Sequence, residues 1–119
     1  MLLSPACSTS RASPLTALGE ITSAQVTVFS TGASTTTTVT DPAILAELRA
    51  LATARGDWNP TWHTPPAGQV RAALYRDTAY VGVVSIGPDF IGARSPSAEQ
   101  FRPIAPNEAA AVAMFRALK

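Results

Sequence analysis

Val70-Arg71-Ala72-Ala73-Leu74-Tyr75-Arg76 and Tyr80-Val81-Gly82-Val83-Val84-Ser85-Ile86, held apart by Asp77-Thr78-Ala79, are the residues that decide the fold. Both runs are rich in β-branched and aromatic side chains, and the link between them is short enough to force antiparallel pairing. Counting back from Asp77-Thr78 sets Tyr75 opposite Tyr80 and Leu74 opposite Val81. Alternation then sorts the residues into two faces. One carries Ala72, Leu74, Val81 and Val83, extended by Ile91 and Ala93, and suits packing beneath helices. The other carries Arg71, Tyr75, Tyr80, Val84, Ile86, Phe90 and Arg94. An aromatic, arginine-rimmed face of this kind calls for cover from a loop and tail, a protein partner, or a second copy of the chain.

Downstream, Gly87-Pro88-Asp89 makes a turn into a strand from Phe90 to Arg94. Ser95 to Glu99 reads as a loop and Gln100 to Ile104 as a last short strand. Ala105-Pro106 opens a helix whose stripe is Ala111, Val112, Phe115 and Leu118. Upstream, Ala24, Val26 and Val28 alternate with Gln25, Thr27 and Phe29, Ser30 to Ser34 is a turn cluster, and Thr35 to Thr40 is a β-branched strand. These two runs pair as a hairpin. The threonine run lacks the repeat that an ice- or polysaccharide-binding array needs and reads as a solvated strand face. Asp41-Pro42 then starts a helix, with Asp41 as its cap and Ile44, Leu45, Leu48, Leu51 and Ala52 on one side. Arg55 and Gly56 are placed to end it.

The expectation is an α+β fold of order β-β-α-β-β-β-β-α, an antiparallel sheet of five to six strands with two helices on one face. It occupies 21–119, behind a Ser-, Thr- and Pro-rich flexible tail at 1–20. At 119 residues, 46% hydrophobic and 14% charged, the chain fits one globular domain. The net charge of +1 is scattered, which argues against a nucleic-acid partner. The strand order also departs from that of an RNA-recognition motif. Eight of the nine basic residues are arginine, a bias that a GC-rich bacterial genome explains.

The single cysteine, Cys7, rules out an intrachain disulfide framework, and no apolar run suggests a transmembrane segment. Met1 to Cys7 resembles the end of a bacterial lipoprotein signal but lacks its basic and most of its apolar part. Lipidation at Cys7 would place the protein in the cell envelope or periplasm. Without it, a cytoplasmic location is expected.

Asp57-Trp58-Asn59-Pro60-Thr61-Trp62-His63-Thr64-Pro65-Pro66 holds both tryptophans and the sole histidine. Trp58, Trp62 and His63 could bind a sugar or peptide by stacking and hydrogen bonding. Alternatively, Trp58 plugs the end of the first helix and Trp62 closes the core edge, as large apolar rings usually do. No ligand-spaced cluster suggests a metal, no glycine pattern a phosphate, and no nucleophile motif a catalytic residue. No cofactor is implied. The expectation is a non-catalytic binding or interaction domain that uses the face of Arg71, Tyr75, Tyr80, Phe90 and Arg94, bordered by the Trp loop. The competing readings are a small enzyme with His63 as general base and an accessory domain without a ligand.

Overall fold

A computed structural model of the chain describes residues 13–15, 18–30, 32–54, 56, 58, 69–96 and 98–117. Its strands are β1 (Ser23–Ser30), β2 (Ala33–Val39), β3 (Val70–Arg76), β4 (Ala79–Ile86), β5 (Phe90–Arg94) and β6 (Glu99–Pro103). The helices are α1 (Pro42–Thr53) and α2 (Ala109–Arg116), the latter preceded by a tight helical turn at Pro106–Glu108. The six strands form one antiparallel sheet in the order β2-β1-β3-β4-β5-β6. The chain is thus an α+β domain in the order that the turn and cap signals predict.

Local chemistry accounts for the elements. The β1–β2 turn is tighter than the Ser30–Ser34 cluster suggests: β2 starts at Ala33, and Gly32 takes φ 73°, where a side chain would be strained. Asp41 accepts a hydrogen bond from the Ala43 N–H at 2.9 Å, and Pro42 fills the first helical position. Asp41→Ala should lower stability by roughly 1 kcal/mol, and Asp41→Asn should restore most of it, as read by thermal melting. α1 ends earlier than Gly56, at Thr53, because Ala54 turns to extended backbone.

The core lies between one sheet face and the helices. Ala24, Val26, Val70, Ala72, Leu74, Val84, Ile86, Ile91 and Ala93 meet Leu45, Leu48 and Leu51 of α1, and Val112 and Phe115 of α2. Two assignments made by counting across the central hairpin are corrected here. Tyr75 does face Tyr80, but Leu74 pairs with Gly82 because Val81 is an extra residue at a β-bulge. Every later residue of β4 therefore changes sides. Val84 and Ile86 join the core, and Val83 moves to the opposite face.

Part of the stretch read as a tail is packed. Leu15 and Leu18 belong to the core, and the buried Ser13 hydroxyl donates to the Ala52 carbonyl. Gly82 makes room for this segment: a Cβ there would lie 2.8 Å from Leu15 Cδ2 and 3.0 Å from the Arg94 carbonyl oxygen. Cys7 lies outside the described residues.

Candidate interaction face

Among the described residues, both helices and Leu15, Leu18 and Ile21 take the core face, so the other face of the sheet defines the candidate surface. Strand pairing arranges it in rows. Thr27, Arg71, Ser85, Gly92 and Phe101 form one row, and Gln25, Ala73, Val83, Arg94 and Glu99 form the next. Tyr75 and Tyr80 lie beyond the second row, at the β3–β4 turn. Phe90 lies beyond the first, at the start of β5 opposite Pro103.

The face therefore has two aromatic ends rather than one aromatic cluster. Tyr75 and Tyr80 meet edge to face, with ring centroids 5.9 Å apart at 64°. Phe90 and Phe101 do the same at 5.8 Å and 79°. Between them the sheet is lined by small side chains, Ala73, Val83 and Ser85. Arg71 and Arg94 stand exposed on this band. Arg94 has the exposed acid Glu99 as its cross-strand neighbour. Tyr80 is 48% exposed, Tyr75 half-buried, and Phe90 buried. The Phe90 ring lies over Gly87, where a Cβ would come within 2.0 Å of it.

Trp58 sits elsewhere. Its indole is buried in the core, and its N–H donates to the Ala54 carbonyl at 2.7 Å, sealing the end of α1. A ring held this way is a brace and offers no stacking surface. Trp62 and His63 lie outside the described residues.

Two residues outside the expected site, Arg102 and Glu108, hold the far side of Trp58. Arg102 of β6 is paired with Ile91, so it points into the core layer, and its guanidinium carbon lies 5.1 Å from the Trp58 ring centroid. It makes a bidentate pair with Glu108, both contacts 2.7 Å, and donates to the carbonyls of Leu51 and Pro103. Glu108 also accepts from the Ala105 N–H at 2.9 Å. Burial pushes the Glu108 carboxyl up, but the hydrogen bonds from Arg102 and Ala105, with the Arg102 charge, hold it below its ordinary value. Counting back across the Ser95–Ala98 turn would have placed Arg102 on the core side and Phe101 on the open side.

Cavities add little chemistry. A cleft of about 550 Å3 runs between α1 and residues 20–22, lined by Glu20, Ile21, Pro42, Leu45 and Arg49 among others. Among the described residues, no three His, Cys, Asp or Glu groups come together as a metal site. No helix among them is long and apolar enough to cross a membrane. Comparison with known proteins gave no matching family, no similar curated protein and no similar solved structure.

Proposed function

We propose that the chain is a small, non-catalytic protein-interaction domain that receives its partner on the open sheet face. One observation carries the reading: among the described residues both helices pack on one side, and the opposite face has aromatic pairs at its ends and the exposed Arg71 and Arg94 between them. Tyrosine and arginine are the residues that most often dominate interface energetics, because each combines apolar area with directed hydrogen bonding. Tyr80 offers exposed apolar area, and the exposed Arg71 and Arg94 favour carboxylates beside it. The preferred partner is thus a protein segment with an apolar residue flanked by acids.

Selection of peptides from a displayed random library on the purified domain tests this. Tyr80→Ala and Arg71→Ala should each weaken the selected acidic, apolar peptides by about tenfold or more. Glu47→Ala, on the exposed side of α1, should leave binding unchanged. Peptides that bind the two open-face variants as tightly as the unaltered domain would refute the proposal.

A further inference from the structure

The two edges of this sheet are built differently. β6, at one edge, has only five residues, carries Glu99 and Arg102, and ends in Pro103, which has no N–H to offer. Shortness, charge and proline are the means by which edge strands avoid pairing with foreign strands. β2, at the other edge, has seven residues, pairs with β1 without a register shift, and contains neither proline nor charge. From Ile21 to Thr40 no residue is Asp, Glu, Lys, Arg or His, the longest such run in the chain.

The groups at this edge can be assigned. The Phe29 N–H donates to the Gln69 carbonyl, on the β3 side. Alternation then turns the main-chain groups of Val28 and Val26 toward β2, where they meet Thr35 and Thr37. The N–H and C=O groups of Ser34, Thr36 and Thr38 consequently point outward, and all three residues are exposed.

We propose that β2 is a homodimer interface, in which two copies pair β2 to β2, antiparallel, about a two-fold axis at Thr36. Thr36 then faces the partner's Thr36, and Ser34 faces the partner's Thr38, giving about six main-chain hydrogen bonds. Thr27 Oγ1 and Thr36 Oγ1 already lie 2.9 Å apart across β1 and β2, and the axis continues that hydroxyl ladder into the second copy. Pairing like with like fails where a charge meets its own image, and no charge lies on β1 or β2. The same neutrality gives a foreign strand no charge pattern to recognise. Phe29, 47% exposed, lies opposite the small Ser34 on the same face, and the second copy supplies cover beyond it. Because β6 is protected, β2 is the one free edge among the described residues, and assembly closes at two copies instead of running on as a fibre.

Light scattering and sedimentation of the full chain provide the test. The unaltered protein should run at twice the chain mass of 12.4 kDa and dissociate on dilution. Thr36→Pro removes an outward N–H while sparing the ladder to β1, and Thr36→Lys sets two ammonium groups face to face at the axis. Thr36→Lys should run at single-chain mass with its circular dichroism and cooperative melt retained, and Thr36→Pro should do the same if it folds. Arg71→Ala and Tyr80→Ala should leave the dimer intact. In the dimer alone, hydrogen exchange should protect the amides of Ser34, Thr36 and Thr38. The proposal is overturned by an unaltered protein that stays single at its highest soluble concentration. A dimer that survives Thr36→Lys, one lost in Tyr80→Ala, or growth beyond two copies overturns it equally.

Discussion

Trp58→Ala should cost roughly 3–5 kcal/mol and lower the melting temperature by roughly 10–20 °C, since removing a buried aromatic loses its transfer free energy and leaves a cavity. Three losses coincide at this position. The ring is 1% exposed and fills the space between α1 and β6, so the cavity is enclosed. Its N–H satisfies the Ala54 carbonyl, one of those left open where α1 ends. Its face carries the Arg102 guanidinium, which would otherwise lie against a void. Trp58→Phe separates these effects, keeping most of the apolar area and the cationic contact but deleting the donor. It should cost only about 1–3 kcal/mol, the penalty for a buried polar group left unpaired. Chemical denaturation followed by circular dichroism measures both; equal losses in the two variants would show that the hydrogen bond, not the packing, dominates.

Glu108→Ala should be the next most damaging change, at about 3 kcal/mol near neutral pH, because it strands the Arg102 charge in the core layer. Arg102 is 3% exposed and its Nε has no partner, so the carboxylate supplies most of its compensation. Glu108 keeps 14% exposure, which puts the expected cost at the low end for a broken buried pair. Replacing both residues by apolar ones of similar size should recover much of the loss. The pair also makes stability depend on pH. Glu108 is held below its ordinary value of 4.5 in the folded state. Its contribution is therefore complete above the unfolded value and fades as pH falls through the folded one. The stability gap between the unaltered chain and Glu108→Gln should be widest near neutral pH and close progressively in acid below about pH 4.5. A gap that stays constant with pH would show that the pair acts through shape alone. Trp58 and Glu108 share Arg102, so their effects should not add, and a double-mutant cycle should return a coupling of about 0.5–3 kcal/mol.

Where the chain states its structure locally, it was readable. Asp41-Pro42 marks the start of α1 because a carboxylate and a missing N–H both suit a helix's first turn. The short link at Asp77-Thr78 marks a hairpin because two strands so joined can only run antiparallel. Asp77 takes φ 57° there, a conformation that Asp tolerates better than most residues. The order of strands and helices followed from such signals, as did the membership of Tyr75, Tyr80, Phe90, Arg71 and Arg94 in one face.

What alternation could not supply was the point at which alternation breaks. Val81-Gly82-Val83-Val84 is apolar throughout, so nothing in it distinguishes a regular strand from one with an added residue at Val81. That single residue exchanged Val84 and Ile86 for Val83 between the faces. It thinned the open face from an apolar sheet to a band of small residues between two aromatic pairs. The roles of Leu15 and Leu18 were hidden in the same way, since packing against Gly82 and α1 is a long-range contact with no periodic trace in a short segment.

By itself, then, the sequence determined the elements, their order and the direction in which neighbouring strands run, because caps, turns and hydrophobic periods act over a few residues. Tertiary structure alone decided which face of β4 each valine occupies, and that Arg102 sits in the core layer against Trp58 and Glu108. A bulge is a choice between two ladders of nearly equal local energy, settled by what the sheet packs against. A buried charge is tolerated only where residues distant in the chain converge to satisfy it.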